Sequence, residues 1–451
     1  MSIRVSSTQN VYNYQKSLNE ADARQADLLR QGDGQKLHKP SDDSVGYSKY
    51  MRYDVSDSEN DQYQANIGTA TSWMKTADAA MVSMTDIQKT FKEKTVQAAN
   101  STNTTSDMQA TAKEMLAEIQ EMISLGNTQQ GDRYVFSGQS DTTQPFALSK
   151  SEVDRGLAKT LDDKQAAYFS GVRGADSSGS LTQMLTLNGD DGNTYYLNTT
   201  DGYIYTQEFV EEGYKDKTAQ DANAIVDPAL DAVGQLSDWS DGTAKVSDYF
   251  KNTGEIIQKN ATLKGAEDIN GTNPDITKVS FTFATVRQQV ATYTGDQKYI
   301  SMVKQNGPTD PSSDTVNVTG QDLFGSDIFD DANSGNQVSG TAMLNQMITV
   351  YAKTNGGDNK WLTTDGQTIS DRANEVTLNA ESKVGARQNL YNSVKEMLGN
   401  QKENITQDIT DVSATDVADL AVKLMEAQAI YNMSLSLGAR ILPQSLTDYL
   451  S

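Results

Sequence analysis

Apolar residues recur at alternating three- and four-residue intervals near both ends of the chain, a spacing typical of helices that pack side by side. The N-terminal part contains three such series. They are Val11, Tyr14, Leu18, Ala21 and Leu28; then Tyr63, Ile67, Ala70, Met74, Ala77, Met81, Met84 and Phe91; then Met108, Ala112, Met115, Ile119 and Met122. We therefore predict three helices, with a break at Pro40 and a capping box formed by Ser106 and Gln109.

The C-terminal part shows the same spacing. Leu390, Val394 and Met397 share one helical face, which Ile405, Ile409 and Val412 continue. A new series follows with Val417, Leu420, Leu424, Ala427 and Tyr431, and the stretch after it is almost wholly apolar, with Leu435, Ile441, Leu442, Leu446 and Leu450. A helix with so much apolar surface needs a partner. We predict that the first and last series are an assembly interface between neighbouring subunits.

The region between these helices differs in composition, because it is rich in Gly, Asp, Thr and Asn. The pairs Asp191-Gly192 and Asp201-Gly202 separate short runs rich in Tyr, Thr and Leu, which predicts β-hairpins. The alternating run VSFTFATV, residues 279–286, also predicts a strand. The middle of the chain should therefore be β-rich.

These patterns predict a mainly α protein with an inserted β-rich part. The N- and C-terminal helices should pair in a coiled-coil-like rod, from which the middle projects as a β-rich domain. The expected boundaries are 1–33 with 414–451 for the terminal helices, 34–146 with 336–413 for a rod domain with a β-hairpin, and 147–335 for the middle domain.

Composition argues against the large catalytic classes. The 451 residues contain no cysteine and one histidine, His38, which excludes thiolate and two-histidine metal sites and leaves a Ser-His-Asp triad improbable. A net charge of −23 disfavours nucleic acid and anionic membranes as partners, and no stretch is apolar enough to span a membrane. We expect no catalytic, cofactor-binding or metal-binding residues.

Several motifs have simple structural explanations. The acidic run NGDDGN at 188–193 lacks the spacing of a calcium loop and fits a hairpin turn better. Methionines at heptad spacing fit an ordinary helical core better than an adaptable binding groove. The start of the sequence lacks the pattern of a cleaved signal peptide, so the chain is expected to be cytoplasmic or exported by another route.

A set of short motifs resembles the hook-associated protein 3 family, the hook–filament junction proteins of bacterial flagella, within the flagellin-like superfamily. The N-terminal pieces, in order, are Gly34; Lys39, Pro40, Ser41, Asp42 and Asp43; Asn100; Gly126–Thr128; Arg133, Tyr134, Phe136 and Gly138 within RYVFSG; and Pro145-Phe146. Similar pieces occur at Tyr293–Asp296 and Gly320–Gly325, and residues 416–450 resemble the tail that this family shares with flagellin. Residues 150–290 match nothing in the family and form an atypical insertion.

The resemblance implies a structural adaptor that joins hook to filament. Its expected partners are further copies of itself in a ring, a neighbouring hook-associated protein, flagellin and an export chaperone. Terminal helices of such proteins are disordered in the free monomer and fold into a coiled-coil tube on assembly, after export through the flagellar channel to the cell exterior. The resemblance also implies that the strand in RYVFSG begins a hairpin that packs on the rod.

Two alternatives stay open. The chain could be flagellin itself, which has the same helical ends and a variable middle, although RYVFSG and residues 320–325 favour the junction protein. It could also be a flagellar surface protein with a glycan-binding or hydrolase middle domain. A zinc peptidase is excluded, because the single histidine lies outside that region.

Overall fold

Among the described residues, long helices dominate the N-terminal and C-terminal parts, and the short strands lie between them. The computed structural model describes residues 7–161, 165, 169, 183–199, 201–213, 232–236, 263–265, 276–300, 315–325 and 340–441. The chain divides into two units, and we call Met1–Gly68 with Asn392–Ser451 the terminal unit and Thr69–Tyr391 the central unit. The described residues confirm the predicted class, mainly α with a β-rich middle.

The helices follow the apolar series along the sequence. They are α1 (Ser7–Arg30), α2 (Ser44–Ala98), α3 (Thr105–Gly126), α4 (Gly320–Phe324), α5 (Ala342–Asn355), α6 (Asn359–Trp361), α7 (Gln367–Ser413) and α8 (Val417–Ile441). The described residues also contain two π-helices, Phe209–Gly213 and Leu362–Gly366, and two short 3₁₀ turns, Gln31–Asp33 and Ile276–Lys278. The two longest helices, α2 and α7, each run through both units.

Helices α2 and α7 run antiparallel within each unit. In the central unit the side-chain amide of Gln88 donates to the hydroxyl of Thr377 at 2.6 Å. In the terminal unit the amide of Asn60 donates to the carbonyl oxygen of Leu398 at 3.1 Å. A second contact in each unit gives the direction. In the central unit the hydroxyls of Ser370 and Thr95 lie 3.0 Å apart, and in the terminal unit Lys402 pairs with Asp61 while the amide of Gln64 lies 3.5 Å from the carbonyl oxygen of Leu398. Within each unit the residue numbers therefore rise along α2 as they fall along α7.

The core of the helical part is rich in methionine. Met74, Met81, Met84, Met115 and Met122 are fully buried, so these side chains are core residues, as the heptad spacing predicts. Helix α3 contributes its whole predicted seam to this core and packs against α5. Unbranched thioether side chains fill irregular gaps between helices well.

The strands are short and belong to four antiparallel sheets. They are β1 (Gln129–Gln130), β2 (Arg133–Tyr134), β3 (Phe146–Leu148), β4 (Val153–Gly156), β5 (Ala158–Thr160), β6 (Gln183–Gly189), β7 (Thr194–Asn198), β8 (Tyr203–Thr206), β9 (Gly234–Leu236), β10 (Leu263–Gly265), β11 (Phe281–Phe283), β12 (Thr285–Gln288) and β13 (Ala291–Tyr293). The largest sheet has the order β10-β9-β8-β7-β6-β11, and β5 also pairs with β6. The pairs β1–β2, β3–β13 and β4–β12 form the other three.

The two predicted hairpins are present in the largest sheet. Strands β6 and β7 join through a turn at Gly192, and β7 and β8 join through a turn at Gly202. These glycines have φ angles of 85° and 75°, a region that residues with a side chain rarely adopt. The acidic run at 188–193 is therefore a hairpin turn.

Two predictions about the helices were wrong. The capping box of α3 is formed by Thr104 and Asp107 and not by Ser106 and Gln109. Helix α7 buries Tyr391, Leu398 and Ile405, whereas Leu390 and Met397 are exposed. The register was misread because both faces of α7 carry apolar residues, and a series of spacings fits either face.

The RYVFSG stretch was also misread. Only Arg133 and Tyr134 are a strand, and they form the second strand of a hairpin with β1 rather than the first strand. The chain turns after Tyr134, so Val135 and Phe136 do not alternate between faces. Both are fully buried.

Candidate assembly interface

The terminal unit pairs the two ends of the chain. Helix α1 packs against α8, where Leu28, Leu420 and Ala427 form a small buried cluster and Leu424 packs beside it. The side-chain amide of Gln25 donates to the amide oxygen of Gln428 at 2.7 Å. The helices are antiparallel, because a higher residue number along α1 contacts a lower residue number along α8: Gln25 bonds to Gln428, and Leu28 packs with Leu420.

This pairing uses many of the residues that the sequence predicts as an assembly interface. Leu28 and Leu420 are buried, and Tyr14, Leu18, Leu424 and Tyr431 are half-buried. Val417 and Leu435 are exposed by 72% and 44%. Leu442, Leu446 and Leu450 lie outside the described residues, as do the side chains of Val11 and Ile441. Three of the predicted residues, Leu28, Leu420 and Leu424, therefore pack in a contact within the chain.

Helix α8 has a second apolar face that the sequence analysis did not separate from the first. Val422, Met425 and Met433 are exposed by 50%, 67% and 64%. Successive residues turn by about 100° in an α-helix, which places these three on the side opposite Leu420 and Leu424. We call Val422, Met425 and Met433 the outer stripe of α8. The almost wholly apolar composition of the region was the available signal, but it did not show which positions remain free.

Both helical ends bend at the same level. Gly34, with a φ angle of 94°, ends the turn after α1, and its carbonyl oxygen accepts a hydrogen bond from the backbone N–H of Thr415 at 3.0 Å. The N–H of Lys36 donates to the carbonyl oxygen of Ser413 at 2.8 Å. These two bonds join the loop between α1 and α2 to the break between α7 and α8. We call this pair of connected breaks the double bend.

The Lys39–Asp43 motif forms the rest of the loop between α1 and α2. The carboxylate of Asp42 accepts hydrogen bonds from the backbone N–H groups of His38 and Lys39 at 3.0 and 3.1 Å. Partial desolvation tends to raise the pKa of the Asp42 carboxyl group. The hydrogen bonds from the two backbone N–H groups act in the opposite direction, and the pKa lies below its usual value. Asp43 accepts from the N–H of Val45 at 3.0 Å at the start of α2. Pro40 and Ser41 are exposed on the turn.

The remaining motif residues lie in the central unit. Asn100 ends the α2 region, where its side-chain oxygen accepts from the N–H of Thr102 at 3.1 Å. The guanidinium of Arg133 lies 2.9 Å from the carboxylate of Asp141, and Tyr134 is half-buried. Gly138 has a φ angle of 70° and lies so close to Asp296 that a Cβ atom would overlap it. Glycine is therefore required at this position.

The structure brings motif pieces from three parts of the sequence into one cluster. The ring of Phe146 lies 5.0 Å from the rings of both Tyr293 and Phe324, measured between centroids. The backbone of Ser137 forms a bridge with that of Thr319. Pieces that are separated by more than a hundred residues thus form a single structural centre, which we call the aromatic cluster. Its rings pack against one another.

The N-terminal region can be assigned by comparison with known proteins. The family model described as the bacterial flagellin N-terminal helical region matches residues 5–141. This part of the chain is similar to the flagellin N-terminal helical region. It includes α1, α2, α3 and the β1–β2 hairpin.

Two curated relatives are both named flagellar hook-associated protein 3. The protein from Escherichia coli K12 is 26% identical over 144 residues, which are 31% of this chain and 45% of that protein. The protein from Salmonella typhimurium is 26% identical over 138 residues, which are 30% of this chain and 44% of that protein. The resemblance noted in the sequence is confirmed over this region, and the chain matches less than half the length of these relatives.

Among solved structures, the flagellar junction protein FlgL from Legionella pneumophila aligns with a TM-score of 0.35 and 11% identity, over 81% of this chain and 100% of that one.

Within the described ranges, we find no group of three or more acidic, histidine or cysteine side chains arranged to hold a metal ion. No described helix has the length and apolarity needed to cross a membrane.

Proposed function

We propose that this protein is a structural subunit of the bacterial flagellum that joins the hook to the filament. The flagellin-type region at residues 5–141 supports a place in the flagellum. The names of the two curated relatives, flagellar hook-associated protein 3, support the junction rather than the filament. The proposed role is mechanical, and no enzymatic step is part of it.

The structural observation that carries the proposal is that α8 is apolar on two opposite sides. One side packs on α1 inside the chain, through Leu420 and Ala427. The outer stripe is exposed. A helix with apolar residues on both sides is normally buried on both sides. We infer that neighbouring copies of this chain cover the outer stripe when the ring assembles.

The energetics favour ordering of the ends during assembly. Helices α1 and α8 contain 24 and 25 residues. Ordering each residue costs about 1–2 kcal/mol, whereas burying one aliphatic side chain contributes about 1.5–3 kcal/mol. Among the described side chains of the two helices, only Leu28, Leu420 and Ala427 are buried. A contact this small holds the pair weakly, so the ends of the free chain should open readily and become stable once neighbours cover them.

The proposed division of labour follows the sequence. Residues 1–33 with 414–451 would form the inner tube, 34–146 with 336–413 the rod, and 147–335 a domain that projects outward. The expected partners are further copies of this chain, a neighbouring hook-associated protein, flagellin and an export chaperone. The protein would act outside the cell after export through the flagellar channel.

Flagellin is the second candidate, because the matching family model describes a flagellin region. Deleting the gene in the native bacterium, followed by electron microscopy and assay of the culture medium, separates the two. A junction protein gives hooks without filaments and unpolymerised flagellin in the medium. Hooks with no flagellin anywhere would identify the chain as the filament subunit. Normal filaments would overturn both functions.

A further inference from the structure

A lysine in the β-rich part of the central unit bridges two carboxylates. The ammonium of Lys159, on β5, lies 2.6 Å from the carboxylate of Asp365 and 3.3 Å from that of Glu211. The hydroxyl of Tyr196 donates to Glu211 at 3.0 Å, and the amide of Gln207 donates to its other oxygen at 2.9 Å. The side chain of Lys159 is only 15% exposed. The resemblance to flagellar proteins says nothing about this network.

Each of the two π-helices in the described part of the chain supplies one of these carboxylates. Glu211 lies in Phe209–Gly213, and Asp365 lies in Leu362–Gly366. π-Helical turns are rare and are frequently found at functional sites. The two segments are far apart in sequence, and each places an acidic side chain on the same lysine.

The network forms one wall of an open cavity of about 530 Å³. This volume lies within the range of about 300–1,000 Å³ found for small-molecule sites. Trp361, Gln207, Thr364 and Thr368 also line the cavity, so an aromatic ring, an amide and two hydroxyl groups stand around one space. Hydrogen-bonding groups and a flat ring converge on a single volume.

The charges of the lining balance one another. Lys159 and Lys360 are opposed by Glu211 and Asp365, while the other lining carboxylate, Asp358, lies 2.8 Å from Lys353. An anionic or cationic ligand would therefore meet no excess of opposite charge. A neutral ligand with many hydroxyl groups would find donors and acceptors on several sides.

We propose that this cavity binds a short neutral saccharide. Amide, hydroxyl and carboxylate groups can bond to sugar hydroxyls, and the electron-rich face of Trp361 can contact the C–H face of a sugar ring. Lys159 is a positioning residue, because it holds both π-helical segments around the cavity.

Glu211 does not have the protonation state that glycoside hydrolysis requires of its acid. Glycoside hydrolysis needs one carboxylic acid that keeps its proton until it is transferred to the leaving group. Burial raises the pKa of Glu211, but the amide of Gln207 and the charge of Lys159 outweigh it and hold the pKa below its usual value. Glu211 is therefore ionised near neutral pH and cannot serve as that acid.

The test uses the full-length chain with maltotriose, cellotriose and chitotriose, each followed by saturation-transfer NMR and calorimetric titration. At least one trisaccharide should bind with a dissociation constant of about 1 mM or tighter. Trp361→Ala should weaken that binding by about tenfold or more. The matched control is Trp73→Ala, a half-buried tryptophan of the same unit that does not line the cavity, and it should bind as the unaltered chain does.

Gln207→Ala provides a second test, because Gln207 is exposed and its replacement should leave the fold intact. It should also weaken binding. Absence of binding by all three sugars at about 10 mM would overturn the proposal. So would binding that both Trp361→Ala and Gln207→Ala leave unchanged. The proposal is independent of the junction role, which the gene deletion tests.

Discussion

The hydroxyl group of Tyr293 lies 3.0 Å from the carbonyl oxygen of Phe136, although 157 positions separate these residues in the sequence. The same hydroxyl lies 2.9 Å from the carbonyl oxygen of Asp296 and accepts from the N–H of Gly320 at 3.3 Å. One phenol therefore connects three segments of the central unit that are distant from one another in the sequence.

Tyr293→Phe should destabilise the protein by about 1–3 kcal/mol, because it leaves buried backbone groups without this partner while the ring stays in place. Chemical denaturation followed by circular dichroism measures the free energy of unfolding. Tyr12→Phe is the control, since Tyr12 is 63% exposed and its replacement should change stability by less than about 0.5 kcal/mol. Equal effects of the two replacements would show that the Tyr293 hydroxyl contributes nothing.

Phe136→Ala should cost about 3 kcal/mol, within the range for a buried aromatic side chain. Phe136 is fully buried in the central unit. Val153→Ala removes an apolar side chain that is 45% exposed and should cost less than about 0.5 kcal/mol. Thermal unfolding of both variants gives the comparison. If Phe136→Ala lowered the free energy of unfolding by less than about 0.5 kcal/mol, the burial of Phe136 would not support the fold.

Gly320→Ala should destabilise the central unit by about 1–3 kcal/mol, because the added Cβ would lie 2.5 Å from the ring of Tyr293. Gly385→Ala is a control with the opposite sign. Gly385 lies inside α7, and nothing stands within 4 Å of the position that its Cβ would take. Alanine there should stabilise the helix by about 0.5–1 kcal/mol. Denaturant titration measures both changes. If both replacements shifted stability in the same direction, the close packing of Gly320 against Tyr293 would be contradicted.

Lys159→Met should destabilise the protein by about 2 kcal/mol at pH 7, because it leaves two poorly solvated carboxylates without their cation. Burial tends to lower the pKa of the Lys159 ammonium group. The negative charges of Asp365 and Glu211 have the larger effect, and the pKa lies above its usual value. The contribution of the lysine is therefore complete below its usual pKa and is lost only as the pH rises through the raised value.

Glu211 has the opposite dependence. Its pKa is lowered, so its contribution is present above its usual pKa and is lost as the pH falls through the lowered value. The difference in melting temperature between the unaltered chain and Lys159→Met should consequently shrink in acid. Lys89→Met, at an exposed pair with Asp86, should have a small effect. A difference that stayed constant down to about pH 3 would contradict the pairing.

Met425→Glu should weaken assembly by about a hundredfold or more, because an outer-stripe carboxylate would be buried against a neighbouring subunit. The stability of the free chain should be nearly unchanged, since Met425 is 67% exposed. Gln401→Glu adds the same charge at an exposed position of α7, away from α8, and should assemble normally. Motility and electron microscopy of complemented cells report the outcome, and normal filaments with Met425→Glu would rule out this surface.

Periodicity was sufficient where a helix has one apolar face. The seams of α2 and α3 are buried as predicted, because side chains at three- and four-residue spacing can reach the same neighbour. Helix α7 shows the limit of that rule. Its exposed Leu390 and Met397 satisfy the spacing as well as its buried Tyr391 and Leu398 do. Which face lies inside depends on the partner helix, and the spacing alone carries no information about that partner.

Contacts between distant residues could not be predicted from the sequence. Lys159 meets Glu211 and Asp365 across 52 and 206 positions, and no local pattern marks any of the three. The same holds for α8, where the sequence predicted abundant apolar surface but not its division between α1 and the exposed side. The RYVFSG stretch was misread because a turn after Tyr134 allows two consecutive side chains to be buried together.

The double bend has a mechanical consequence. At Gly34 and at Ser413–Asp416 both antiparallel chains leave the α-helix at the same height, and the N–H of Thr415 and the carbonyl of Gly34 keep the two breaks together. A change of angle at this level would stretch no helical hydrogen bond, because none crosses it. The carboxylate of Asp416 caps the N-terminus of α8 by accepting hydrogen bonds from the backbone N–H groups of Ala418 and Asp419. Under the proposed role, this level is therefore where the paired ends would change their angle to the rest of the terminal unit with both helices intact.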